Sequence, residues 1–224
     1  ILVLKSTNLS KKLILLAGPT ASGKSKLAIQ LAKKLNGEII NADSMQIYKE
    51  FFILSSRPSE EDEKNIKHHL YGFLSVKNSF SAGDWLKHSK RKIKECFINK
   101  RVPIIVGGTG LYFSTITKGI SKIPQIDKNT RDKTRNLFQS LGKKEFYKKL
   151  LNVDPKIKNK ILPNDSHRSQ RAYEVFLKTN RSLFDWIENT KSDFVDYDIK
   201  KIFLDTSKEK LLKNISIRTD SMFQ

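Results

Sequence analysis

The run Gly18, Pro19, Thr20, Ala21, Ser22, Gly23, Lys24 and Ser25 constrains this chain more than any other feature. It spells G-x-x-x-x-G-K-[ST] in full, and its surroundings match. Leu13-Ile-Leu-Leu-Ala17 before it is a short buried-strand pattern. Leu27, Ala28, Leu31, Ala32 and Leu35 after it recur at helical spacing, and Asn36-Gly37 stops that helix. Between a strand and a helix, such a loop turns its backbone N–H groups toward an anion, and the helix N-terminus adds a partial positive charge. Lys24 supplies a mobile full charge. The Ser25 hydroxyl can hold Mg²⁺ against phosphate oxygens. The loop therefore predicts phosphate binding without naming a reaction. A phosphoryl group in transfer and a departing pyrophosphate would suit it equally.

Glu38-Ile-Ile-Asn-Ala42 reads as a second strand, with Asp43 at its end. This β-α-β order predicts a parallel sheet covered by helices. Asp43 would stand on the carboxyl rim of the sheet, where ligands bind in open α/β folds. There it could accept a proton, hold Mg²⁺ through water, or simply cap the next turn. Residues 51–80 are less regular. Trp85, His88, Ile93 and Phe97 predict a helix ending near Lys100. Val102-Pro-Ile-Ile-Val106 is a third strand, followed by Gly107-Gly-Thr-Gly110. From Gly119 to about Asp193 the strand pattern gives way to a basic, helical stretch. A returning strand is expected over Asp198 to Asp205 and a final helix over Lys208 to Phe223. The expected fold is α/β: a P-loop NTPase-like parallel sheet flanked by helices, with an inserted, mainly helical domain. The parts are 1–118, 119–194 and 195–224.

Composition narrows the class. Hydrophobic residues make up 38% of 224, enough for a core. No apolar run approaches the roughly 18–20 residues of a membrane span. Ile1-Leu-Val-Leu followed by Lys5 lacks the pattern of a secretory signal. The single cysteine, Cys96, excludes an intrachain disulfide and reads as a small buried hydrophobe. The cytoplasm is the expected compartment, with no membrane partner and a monomeric state. His68-His69 predicts no zinc site, since neighbouring side chains diverge and no Cys/His cluster joins them. Trp85 and Trp186 are expected as core or interface anchors. The net charge is +20, an excess that favours a polyanionic partner. It is concentrated: residues 128–160 hold 11 Lys/Arg against 3 Asp/Glu, interleaved with Phe138, Leu141, Phe146, Tyr147, Leu150 and Leu151. Such a basic amphipathic segment predicts nucleic acid.

Several segments in unbroken order resemble the tRNA dimethylallyltransferases. They are Gly18 to Ser25, Ala42-Asp43-Ser44-Met45-Gln46-Ile47-Tyr48, His68-His69-Leu70 and Val106-Gly-Gly-Thr-Gly-Leu-Tyr112. Further matches are Ile123-Pro124 leading to Arg131, Asn164-Asp165 to Arg171 with Ala172 and Glu174-Val175, and Ile217-Arg218 with Met222. The Asp-Ser-Met-Gln and Gly-Gly-Thr-Gly-Leu-Tyr segments are far more specific than the phosphate loop. The chain departs from the family at Ser25, where Thr is commoner, and at Leu54-Ser-Ser-Arg57-Pro58, which stands for Gly-Thr-Ala-Lys-Pro. Family members continue beyond the position of Gln224, so a truncated C-terminus is expected.

The resemblance implies transfer of a dimethylallyl group from dimethylallyl pyrophosphate, with Mg²⁺, to N6 of the adenosine immediately 3′ of the anticodon. The tRNAs would be those reading codons that begin with U. The loop, described as ATP-binding in such proteins, would hold the isoprenoid pyrophosphate. Asp43 would be the general base, Thr109 would position the donor, and Arg218 would add charge near the pyrophosphate. Mg²⁺ would sit on Ser25, with Asp43 reached through water. The resemblance assigns tRNA contacts to Asp43, Ser44, Met45, Gln46, Thr109, Arg131, His167, Arg168, Ser169, Gln170 and Arg171. Gln46 could read adenine through both ends of its amide. The basic insertion would grip the anticodon stem-loop. Two rivals share parts of the pattern: a small-molecule P-loop kinase, and a catalytically degenerate RNA-binding relative.

Overall fold

The computed structural model describes residues 11–222. The expectations for the N-terminal segment and for the helix end at Phe223 lie outside the described residues. The chain divides into two units, Ile1–Thr117 with Asp193–Gln224, and Lys118–Ser192.

The first unit is built on β1 (Lys12–Ala17), β2 (Gly37–Asn41), β3 (His68–His69), β4 (Val102–Gly107) and β5 (Asp198–Phe203). All pairings are parallel, and the order across the sheet is β3-β2-β4-β1-β5. Helices α1 (Lys24–Leu35), α4 (Ala82–Ile98) and α5 (Gly110–Thr117) follow β1, β3 and β4, and α9 (Lys208–Met222) follows β5. The expected parallel sheet with flanking helices is the observed one. Its inner strands are apolar on both faces because both faces are covered. Leu13 and Leu15 of β1 pack with Trp85, Ile93 and Cys96 of α4. Ile14 and Leu16 point the other way, onto Ala28 and Ala32 of α1. Asn36 ends α1 in a left-handed conformation, and its N–H returns to the Ala32 carbonyl.

Residues 51–80, irregular by pattern, contain two short helices, α2 (Phe52–Ser55) and α3 (Glu60–Asn65), and β3. At two residues, β3 is too short for any periodicity to announce it. Ser59 and Ser81 start α3 and α4 through reciprocal capping with Asp62 and Asp84.

The second unit is helical. It comprises α6 (Lys128–Val153), a 3₁₀ turn (Pro155–Ile157), α7 (Ser166–Thr179) and α8 (Leu183–Glu188). Its own core gathers Phe146, Leu150, Ile157, Ala172 and Tyr173. The basic stretch that reads as one amphipathic segment is broken at Gly142, whose φ of 70° and ψ of 174° interrupt α6. Trp85 is fully buried, as expected of a core anchor. Trp186 is half-buried beneath the Arg181 guanidinium. No helix among the described residues is long and apolar enough to cross a membrane.

Candidate functional site

Strand order decides which loops meet. β2, β4 and β1 are neighbours, in register at Asn41↔Val106 and Ala17↔Gly107. Their carboxyl ends therefore deliver Asp43, Thr109 and the phosphate loop to one rim. The close fit there depends on glycine. A β-carbon on Gly107 would lie 2.1 Å from the Ala42 carbonyl oxygen, and one on Gly18 would lie 2.7 Å from that of Leu204. No larger residue lets these backbones approach as they do.

The loop passes through left-handed conformations at Ala21 (φ 59°) and Gly23 (φ 92°) before entering α1. The Lys24 ammonium folds inward and donates to the Pro19 carbonyl. Burial lowers the Lys24 pKa. Asp43 opposes that shift, and Arg218 adds to it. The lysine thus stands ready for an anion that would restore its preference for charge.

Asp43 is held by its backbone. The Asn41 side chain, fully buried, accepts from the Asp43 N–H at 2.8 Å and donates to the Asp43 and Leu70 carbonyls at 3.0 Å each. The Asn41 carbonyl accepts from Trp85 Nε1 at 2.8 Å, and the Trp85 ring stacks on Tyr112 at 4.5 Å. The carboxylate uses Oδ1 to accept from the Met45 N–H at 2.9 Å. Its Oδ2 lies 3.9 Å from where a Gly108 β-carbon would sit, a point also 3.8 Å from the Gly18 carbonyl oxygen of the loop. Thr109 Oγ1 accepts from the Ser44 N–H at 2.9 Å and faces Ser44 Oγ at 3.3 Å. Asn41, Trp85 and Tyr112 carry no signature of this clamp in sequence. They are distant from one another along the chain, and only the sheet brings them together.

From the other side, α9 reaches the loop. Asn214 donates to the Ala21 carbonyl at 2.9 Å, and Arg218 donates to the Ser55 carbonyl at 3.1 Å. The loop, Asp43, Met45, Gln46, Ser55, Asn214 and Arg218 line one cavity of about 550 Å³. Tyr71 also lines it, and burial lifts its hydroxyl well above the ordinary phenol range, with Asp43 and Glu63 adding to the rise. The expected loop residues, Asp43, Ser44, Met45, Gln46, Thr109 and Arg218 are therefore brought together.

Two expected contacts need correction. The Gln46 amide does not have both ends open to a base: its NH₂ donates to the Ser55 carbonyl at 2.9 Å and the Ser56 carbonyl at 3.0 Å. Bidentate reading would require one of those bonds to break, whereas its oxygen can accept a hydrogen bond without rearrangement. In the second unit, Ser169 is 2% exposed and turns into the helical core, so it presents no surface to a ligand. Arg131, His167 and Arg168 are exposed there, and Gln170 and Arg171 half-buried. Arg168 lies 3.5 Å from Asp165, and Arg171 lies 3.4 Å from Glu174. Residues 118–192 hold 18 Lys/Arg against 8 Asp/Glu, a net +10, so this unit of about one third of the chain carries half its excess charge.

Residues 46–224 match the family model for IPP transferase. The chain is 53% identical over 211 residues to the tRNA dimethylallyltransferase of Pelagibacter ubique (strain HTCC1062), covering 94% of this chain and 67% of that protein. It is 43% identical over 215 residues to the enzyme of the same name from Rickettsia massiliae (strain Mtu5), covering 96% and 59%. Among solved structures, a eukaryotic dimethylallyltransferase acting on tRNA superposes with a TM-score of 0.83 at 30% identity, over 96% of this chain and 53% of that one. The tRNA Δ(2)-isopentenylpyrophosphate transferase of Staphylococcus epidermidis gives 0.58 at 34% identity, over 94% and 69%. This chain thus spans about half to two thirds of the relatives it matches.

Proposed function

The chain belongs to the IPP transferase family, and on that premise we propose that it transfers a dimethylallyl group from dimethylallyl pyrophosphate to N6 of the adenosine immediately 3′ of the anticodon. Its substrates are tRNAs reading codons that begin with U, and the cytoplasm is its site of action. The observation that carries this reading is the sharing of one cavity by the phosphate loop, Asp43 and Arg218. A cradle suited to a diphosphate and a carboxylate line the same space.

The adenine N6 amine is a weak nucleophile because its lone pair is delocalised into the ring. The allylic carbon becomes a good electrophile only if the departing pyrophosphate is stabilised. The loop amides, Lys24 and Arg218 receive the charge that develops on pyrophosphate as the C–O bond breaks. Asp43 accepts the N6 proton as the new C–N bond forms, a contribution of roughly 10²–10⁴-fold. Its backbone clamp and the Met45 N–H leave Oδ2 turned toward the loop. Thr109, bonded to Ser44, positions the donor beside it. Ser25 and Asp43 both line the cavity and offer the oxygen ligands a hard cation requires, so they would hold Mg²⁺. Bound there, Mg²⁺ supplies further charge neutralisation for the leaving group. The target base must leave its stack at a cost of a few kcal/mol. Ser44, Met45 and the Gln46 oxygen form the wall that meets it. The surface bearing Arg131, His167 and Arg168 binds the anticodon stem-loop through phosphates and shape.

The test is incubation of the chain with labelled dimethylallyl pyrophosphate and an anticodon stem-loop, followed by nucleoside mass spectrometry. N6-dimethylallyladenosine is the expected product. Phosphate transfer from ATP to a small acceptor, with no prenylated adenosine, would make the protein a kinase instead. RNA binding that is indifferent to Lys24→Ala, with no product, would make it a binding protein.

A further inference from the structure

Glu38, His69 and Cys96 come from β2, β3 and α4 and meet in the core, each of them buried. Glu38 Oε2 is 2.6 Å from His69 Nε2 and 3.6 Å from Cys96 Sγ. The three donor atoms all lie within 4.8 Å of one another. Sequence spacing does not show this, and the expectation that no Cys/His cluster joins His68-His69 needs correction at His69. Side-chain alternation accounts for the meeting. Glu38 shares a strand face with Ile40, which packs against Cys96's helix, and His69 pairs with Ile40 across β2 and β3.

We propose that Glu38, His69 and Cys96 form a binding site for a zinc-like divalent transition metal, separate from the phosphate loop. The site lies toward the amino end of β2 and Asp43 beyond its carboxyl end, about 15 Å away along the strand.

The geometry suits an ion. Tetrahedral zinc sets its donors about 3.3–3.8 Å apart, so Glu38 and Cys96 at 3.6 Å already match, and the hydrogen-bonded Glu38–His69 pair at 2.6 Å would open by less than about 1.5 Å to admit the ion. The donor set, an imidazole and a thiolate beside one carboxylate, selects zinc or cobalt over magnesium or calcium. Charge balance favours occupancy. Carboxylate, thiolate and neutral imidazole together carry two negative charges, which a divalent ion cancels. Binding releases the thiol proton to solvent. β3 is an outer strand of the sheet, which places His69 at its edge and Glu38 on the neighbouring strand. The competing arrangement is a metal-free trio in which thiol and imidazole both donate to Glu38.

The test uses the untagged full chain, prepared metal-free and titrated with Co²⁺, and in parallel exposed to Zn²⁺ and dialysed before elemental analysis. The expected result is one zinc retained per chain and a near-ultraviolet thiolate-to-cobalt charge-transfer band. Cys96→Ser, nearly isosteric, should lose the band and weaken zinc binding by roughly 10-fold or more. His69→Gln should abolish the rise in melting temperature that zinc gives the wild type. Failure to retain zinc, a cobalt spectrum without a thiolate band, or equal zinc affinity in wild type and Cys96→Ser would each overturn the proposal. The wild-type spectrum decides the matter even if a variant does not fold. None of these readouts depends on prenyl transfer, so the metal site and the proposed reaction stand or fall separately.

Discussion

The base role proposed for Asp43 rests on what holds the residue as much as on its own chemistry. The Asn41 amide spends both ends on backbone groups, and Trp85 pins the Asn41 carbonyl in turn. The carboxylate is therefore presented by a rigid turn. Replacing Asp43 with Ala should lower turnover by roughly 10²-fold or more while leaving tRNA affinity within a few fold. Single-turnover kinetics beside a filter-binding titration would check both halves, and wild-type turnover would remove the base assignment. Lys24 supplies a second prediction. Its pKa is lowered chiefly by burial, so the free enzyme loses this charge at a lower pH than an ordinary lysine would. A bound pyrophosphate stabilises the protonated form, which makes binding tighter on the acid side of the Lys24 pKa. Pyrophosphate affinity should accordingly fall as pH rises through that lowered value. Isothermal titration across alkaline pH should show the fall in wild type and its absence in Lys24→Met.

Among the elements, β4 and the loop after it are the least tolerant of change. Gly107 ends β4 against the Ala42 carbonyl, 2.1 Å from where a β-carbon would be. Gly107→Ala must therefore push β2 and β4 apart at the rim. The expected loss is about 1–3 kcal/mol of stability, read from urea unfolding, together with a fall in turnover because Thr109 and Asp43 part. An alanine variant of wild-type stability and activity would show that the backbones yield more easily than the geometry implies. Most of these elements were legible in the sequence. Short apolar runs marked β1, β2 and β4, and helical spacing marked α1 and α4. The short pieces between residues 51 and 80 were not legible, since two to six residues cannot display a period. The break at Gly142 also escaped, because apolar spacing continues on both sides of it.

At the scale of the whole molecule, charge divides unequally. The helical unit carries a net +10 in about one third of the chain, as the proposed nucleic-acid partner would require. Arg168 is 74% exposed at its side chain and lies 3.5 Å from Asp165. Arg168→Ala should weaken stem-loop binding and reduce the slope of log affinity against log salt by about 1. A fluorescence titration at several salt concentrations measures this, and an unchanged slope would return Arg168 to the solvated surface. Local pattern sufficed for the phosphate loop, the α/β class and the basic insertion, because each is written within a few consecutive turns of chain. Strand order, the clamp on Asp43, the engaged Gln46 amide, the burial of Ser169 and the meeting of Glu38, His69 and Cys96 were decided only by the tertiary structure. These depend on which distant segments become neighbours once both faces of the sheet are covered, and such proximity leaves no mark on the spacing of residues along the chain.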